Sequence, residues 1–205
     1  STPHIIFSVS KSLTALLIGC AIDEGFVSEE TLVSQIIPEA RGSAFEDASV
    51  RNLLDMSVSS NFIEDYEATS GIFLDYRQST GWNPQDINDT SHLKSFLLSL
   101  KKNTHRHGEK FEYHSTNTDM LGIIIETCTG KKYAHYFYEK LMKPLGAKDE
   151  AYVTLDRVGT SRSAGGVCIS ARDLMSICEM VRCYGKNSQG EQVFPENWIK
   201  DILNS

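Results

Sequence analysis

Residues 7–12 read FSVSKS, and they lie where the apolar run Ile5-Ile6-Phe7 passes into a hydrophobic stretch ending near Gly25. Leu13, Leu16, Leu17, Cys20, Ala21 and Ile22 recur at helical spacings with Ile18 on the flank, which predicts a helix over 8–24 stopped by Gly25. That helix is apolar nearly all round, so it should be buried. Ser8 and Lys11, three residues apart at its first turn, share a face and can touch. Polar side chains there cap the helix, face water or do chemistry. The helix N-terminus brings partial positive charge and free N–H groups that favour an oxyanion near Ser8. Lys11 can act as a base only as a free amine, a form that burial favours. Alternatively it stays charged and turns a nearby phenol into the base, which makes a tyrosine the residue to look for.

The spacing alone is weak. Ser91–Lys94 and Ser99–Lys102 repeat it inside an amphipathic stretch, where a cap and a solvated lysine are the simple explanation. What distinguishes Ser8–Lys11 is the helix start and the apolar sequence that follows.

Around this stretch the chain has the composition of a globular protein: 205 residues, 40% hydrophobic and 23% charged, enough for one substantial core. A formal charge of −7 lacks the basic excess that nucleic acid demands. No run of 18 apolar residues predicts a membrane span. Five scattered cysteines without a Cys-x-x-Cys pair read as free thiols, which fits a reducing compartment, cytoplasmic rather than periplasmic or secreted.

Further helices are expected from Ser28 to Pro38, after Asp47 (SVRNLLDM), over 90–102, in TNTDMLGIIIETCTG to Gly130, in YAHYFYEKLMKPLG, after Ser170 (ARDLMSICEMVRCY) and from Pro195. Residues 57–82, rich in Phe and Tyr, read as a folded loop or short helices over a cleft. AYVTL is a strand candidate and SAGGV a turn or strand edge. With no repeat or flexible linker, residues 1–205 read as a single helix-rich unit.

A second polar cluster occurs in FEYHSTNTDMLGIIIE, where Tyr113 and Ser115 precede a helix. Read locally, Ser115 or Thr116 caps it and Tyr113 is a half-buried aromatic. His105 and His107 flank Arg106 in a polar loop, but no Cys, Asp or Glu cluster accompanies them, and no metal or cofactor is expected.

IFSVSKSLTALLIGCAIDEG, VRNLLDMSV, FEYHSTNTDMLGIIIETCTG and AGGVCISARDL, in this order, resemble the serine β-lactamase and penicillin-binding-protein superfamily. Within it the chain is most similar to the class C β-lactamase-related hydrolases, especially the 6-aminohexanoate-dimer hydrolase-like branch. The resemblance runs from about Ile5 to Trp198. It implies an α+β fold, a helix-rich domain with most of the antiparallel sheet missing. It further implies that Ser8 is the acylated nucleophile, Lys11 its activating partner and Tyr113 a general base or acid in a Tyr-x-Asn-type motif. Here the third position of that motif is Ser115, a substrate-side residue whose change from Asn weighs against β-lactam recognition. Tyr66 matches a substrate-side tyrosine on a loop, with Trp82 as a weaker candidate for the same wall.

The superfamily's third motif, Lys-Thr-Gly or a His-x-Gly relative, is absent: Cys128-Thr129-Gly130 ends a helix and Ser79-Thr80-Gly81 comes too early. The chain therefore reads as a piece of a larger hydrolase cut at both ends, whose uncovered apolar faces favour self-association. The expected substrate is a small amide or ester, processed through an acyl-enzyme. Penicillin or D-Ala-D-Ala chemistry and a catalytically inactive ligand-binding or assembly module are the alternatives.

Overall fold

The computed structural model describes residues 2–86 and 88–204. Its organising contact is between two 15-residue helices, α1 (Val9–Asp23) and α6 (Ser115–Thr129). Leu13, Leu17 and Ile18 of α1 and Met120, Leu121 and Ile124 of α6 are almost wholly inaccessible, as the apolar sequence of both helices requires. Each such side chain contributes about 1.5–3 kcal/mol relative to exposure. Gly130 closes α6 in the left-handed conformation, φ 68°, the role its position predicts.

Shorter helices surround this pair: α2 (Val33–Ile36), α3 (Val50–Leu54), α4 (Ile72–Ser79), α5 (Leu93–Ser99) and α7 (Tyr133–Phe137). The helix expected from Ser28 is shorter and later than its sequence suggests. Residues 28–31 form a turn in which the Ser28 amide donates to Thr31 Oγ1, and Leu32 bridges to Ser49, which holds its backbone extended until Val33. Beyond α7 the chain widens into a π turn over Tyr138–Met142, ending just before Pro144.

Three short strands make one antiparallel sheet in the order β1 (His4–Ile5), β3 (Val167–Ile169), β2 (Tyr152–Val153). His4 faces Ile169 and Tyr152 faces Cys168. After β3, Ser170 starts α8 (Ala171–Arg182), accepting from the Asp173 amide at 3.2 Å and donating to its carboxylate at 2.9 Å. Helix α9 (Glu196–Asn204) then returns over α1, where the Trp198 indole N–H donates to the Ala15 carbonyl at 3.0 Å. The five cysteines are free thiols, and burial pushes the Cys20 thiol up to about 12. Among the described residues no helix is long and apolar enough to cross a membrane.

This fold delivers one sequence segment to a particular place. The Ile6 amide donates to the Val167 carbonyl at 3.0 Å, so the chain leaves the central strand's edge and enters α1 within three residues. Phe7 makes that turn with φ 46°, a left-handed conformation that costs a bulky residue energy. Ser8 emerges exposed at the head of a buried helix.

Candidate active site

Ser8 occupies the N-cap position of α1, yet its side chain caps nothing. Its backbone is already helical (φ −63°, ψ −14°), and the Val9, Ser10 and Lys11 amides donate to the Ile6, Phe7 and Ser8 carbonyls at 2.9–3.1 Å. The free N–H groups expected at this helix start are therefore spent on the preceding turn, because the tight entry from β1 supplies carbonyls for them. Among the described residues the Ser8 amide itself has no hydrogen-bond partner. The Ser8 hydroxyl is instead held by Lys11, whose Nζ donates to Ser8 Oγ at 3.1 Å and to the Ala164 carbonyl at 2.9 Å.

The other two Ser-x-x-Lys pairs do nothing comparable. Lys94 pairs with Glu39 at 2.9 Å and Lys102 with Asp47 at 2.5 Å, while Ser91 bonds Asp89 and Ser99 bonds the Phe96 carbonyl. The histidines of the 103–112 loop are likewise engaged locally. His105 lies 3.2 Å from Glu112, and His107 accepts from the Ser59 amide at 3.0 Å through Nδ1 and meets Asp47 through Nε2. The described residues contain no cluster of three or more metal-ligating side chains.

Tyr113 reaches the same amine from another side. Lys11 Nζ sits 4.9 Å from the centroid of the Tyr113 ring, over its face, an arrangement that attracts a cation to the π electrons. The Tyr113 hydroxyl makes no hydrogen bond among the described residues. Its ring, not its proton-carrying oxygen, is what contacts Lys11.

Ser115 does not cap α6; it is the first helical residue after His114. Its hydroxyl and amide both donate to Glu64, at 2.7 and 2.5 Å, so a carboxylate supplied by the 57–71 loop takes the place of a capping side chain at the helix N-terminus. Tyr66 donates to the same carboxylate at 2.5 Å, and burial together with Glu64 raises its phenol pKa well above the ordinary value, keeping the proton on the oxygen. Glu64 thus ties the two predicted substrate-side residues to each other.

Behind Lys11 lies a buried polar network. Asp119, fully enclosed in α6, accepts from the Ala164 amide at 2.8 Å, the Tyr76 hydroxyl at 2.6 Å and Arg162 Nη1 at 3.1 Å. Burial raises the Tyr76 pKa, so this phenol stays a donor. Thr14 of α1 donates to the Ser163 carbonyl at 3.0 Å, and Ser163 donates to the Thr118 carbonyl at 2.9 Å. The 162–166 turn is therefore stitched to both long helices, and that fixes the carbonyl which holds Lys11. Gly166 is required for this closeness: a Cβ there would stand 2.2 Å from Thr154 Oγ1 and 2.8 Å from the Arg162 carbonyl.

These elements enclose a cavity of about 500 Å³ whose wall includes Ser8, Lys11, Glu64, Tyr66, Trp82, Ser115 and Arg162. Tyr113 is not among the lining residues. Trp82 packs edge-on against Phe7 at 6.0 Å and covers the Arg162 guanidinium at 4.3 Å. Of the predicted residues, Ser8, Lys11, Ser115 and Tyr66 share this cavity, and Tyr113 adjoins it through Lys11. Sequence reasoning missed Glu64, Asp119 and Arg162. Arg162 immediately precedes the SAGGV turn, and a lone Arg or Glu in a polar loop carries no signal of its own.

A serine bonded to a lysine three residues on, at the head of a helix buried against a second helix and beside a small antiparallel sheet, is the arrangement of a β-lactamase-type scaffold. Residues 1–193 match the Beta-lactamase family model, and the chain belongs to that family. It is 34% identical over 200 residues to the 6-aminohexanoate-dimer hydrolase of Paenarthrobacter ureafaciens, covering 98% of this chain and 50% of that protein. A provisionally assigned 6-aminohexanoate-dimer hydrolase from Bacillus anthracis superposes with a TM-score of 0.89 at 25% identity, covering 99% of this chain and 53% of the other. The octameric penicillin-binding protein homologue from Pyrococcus abyssi shares the fold, with a TM-score of 0.71 at 23% identity over 97% of this chain and 48% of the other. The chain spans about half the length of these relatives.

Proposed function

We propose that this chain carries the nucleophile of a serine hydrolase that cleaves a small amide or ester through an acyl-enzyme, with Ser8 as the residue acylated. The observation that carries the reading is the Lys11 amine, 3.1 Å from Ser8 Oγ and anchored on the Ala164 carbonyl. In the first step Ser8 Oγ bonds the substrate carbonyl carbon while its proton passes to Lys11, which must enter as the free amine. The Ser8 amide, without a hydrogen-bond partner among the described residues, is available to the developing oxyanion. Tyr113, beside Lys11, relays the proton to the departing amine or alcohol after a rotation that brings its hydroxyl to the amine. Water then attacks the acyl carbon, and Ser8 regains its proton by the reverse path. Ser115 and Tyr66 serve the substrate side of the cavity. The 34% identity to a 6-aminohexanoate-dimer hydrolase supports a linear amide over a β-lactam, as does Ser115 at the third position of its motif.

Intact-mass measurement after a fluorophosphonate probe tests the assignment. One adduct on the native chain, lost in Ser8→Ala and formed at least about a hundredfold more slowly in Lys11→Met, is expected. An adduct that persists in Ser8→Ala refutes it. No adduct on a folded chain that still binds small amides supports the ligand-binding module instead.

A further inference from the structure

Tyr113 reaches Lys11 from a short extended segment whose other side chains lie against the protein. The Glu112 amide donates to the Met56 carbonyl at 2.8 Å, and His114 is extended at φ −131°, ψ 117°. Side chains alternate faces along such a segment, so Glu112 and His114 turn inward where Tyr113 turns out towards Lys11. Both inward residues carry buried atoms with nothing bonded to them. Glu112 accepts from Lys110 through Oε1 at 2.6 Å, while its Oε2 is buried without a hydrogen bond. His105 Nε2 lies 3.2 Å from that oxygen, is buried too, and makes no aligned hydrogen bond to it. His114 is 7% exposed, its ring meets Phe62 edge-on at 5.3 Å, and its buried Nδ1 has no partner. Asn117, whose amide donates to the His114 carbonyl at 3.1 Å, adds a buried Oδ1 without a partner. Buried polar atoms are normally paired, so this group at the entrance of α6 calls for an explanation.

A protonated His114 does not suit this setting. Its Nδ1–H would be a buried, charged donor without a hydrogen-bond acceptor, a cost that the neutral ring avoids. Burial lowers its pKa from the ordinary 6.5, and the charges facing it pull both ways: Glu112 and, from the 57–71 loop, Glu64 favour the proton, whereas Lys110 and His105 oppose it. Once charged, the ring finds relief by turning to the idle Glu112 oxygen or out to water. Either movement displaces the residue next to Tyr113.

We propose that His114 and Glu112 are positioning residues for Tyr113: a neutral His114, packed on Phe62, holds the phenol ring over the Lys11 amine, and protonation of His114 lets that ring leave. This deepens the hydrolase reading and rests on it for what Tyr113 does. Acylation of Ser8 then falls away in acid by a step separate from the titration of Lys11.

Two measurements at pH about 7.5 and about 5.5 test this: the rate of fluorophosphonate labelling at Ser8, and hydrogen exchange of the Glu112 and Ser115 amides, which are bonded to Met56 and Glu64. The ratio of labelling rates at the two pH values contains the Lys11 contribution in every variant and the His114 contribution only where the imidazole is present. The native ratio is expected to exceed that of His114→Phe, which keeps an aromatic ring against Phe62, by about threefold or more, because one further proton is taken up in that window. Protection of the two amides, relative to the α1 core, should likewise fall by about threefold or more in the native chain and stay level in His114→Phe. His114→Gln carries the test where the phenylalanine variant does not fold. Glu112→Gln removes a charge that favours the proton and should move the transition to lower pH; a transition that stays in place refutes the role of Glu112. Equal rate ratios and equal protection in the native chain and His114→Phe overturn the proposal while leaving a labelled Ser8 standing. Acid exposure of the two amides that His114→Phe abolishes, in a chain whose Ser8 takes no probe, sinks the hydrolase reading alone.

Discussion

Replacing Asp119 by alanine should be among the most damaging single changes in this chain, because one buried carboxylate serves several donors. Three good hydrogen bonds converge on it, from Ala164 N at 2.8 Å, Tyr76 OH at 2.6 Å and Arg162 Nη1 at 3.1 Å, with Ser163 Oγ more distant at 3.4 Å. Removing one member of a buried ion pair strands the other, at about 3–5 kcal/mol. The Ala164 amide loses its acceptor as well, worth about 1–3 kcal/mol for a buried donor. These penalties share one carboxylate and do not add fully, so a loss of about 4–6 kcal/mol is expected. Urea unfolding followed by tryptophan fluorescence measures it, since Trp82 lies on the Arg162 guanidinium. A second arm tests the cause: Asp119→Leu combined with Arg162→Met removes both charges and should recover much of the loss. A single variant within about 1 kcal/mol of the native chain, or a double variant no better than the single, would show that the stranded guanidinium is not the dominant cost. The same network positions the carbonyl that holds Lys11, so any folded Asp119 variant should also label at Ser8 more slowly.

Other consequences follow from packing and titration. Gly122→Ala would bring a Cβ within 2.2 Å of Ser163 Oγ, at the seam between α6 and the 162–166 turn, and should cost about 1–3 kcal/mol in the same unfolding assay. Burial lowers the His107 pKa from the ordinary 6.5 despite the opposing pull of Asp47, and the Ser59 amide needs an unprotonated Nδ1. The unfolded chain therefore binds the proton more tightly. The stabilisation is complete above pH 6.5 and is lost as pH falls below 6.5 towards the lower folded-state value. Thermal unfolding at pH 7.5 and about 5.5 should show a decrease that His107→Asn reduces; an unchanged slope in that variant would remove His107 from the account.

Much of this architecture was written in local sequence. The apolar run from Leu13 to Ile22 and the Gly130 stop define α1 and the end of α6, because burial and backbone freedom at those positions are set by residue type. The Ser8–Lys11 contact was legible for the same reason: residues three apart on one helix meet whatever surrounds them. Its place at a helix start ahead of an apolar run set it apart from Ser91–Lys94 and Ser99–Lys102, and the family pattern strengthened that choice. The rest was decided by contacts between residues far apart in sequence. Glu64 reaches Ser115 across 51 positions, and the Ala164 carbonyl reaches Lys11 across 153. Whether Arg162 is a solvated loop cation or a clamped, half-satisfied one depends on Tyr76, Trp82 and Asp119 arriving around it. Periodicity and capping report a residue's immediate neighbours, whereas desolvation and long-range pairing exist only once the chain has closed on itself.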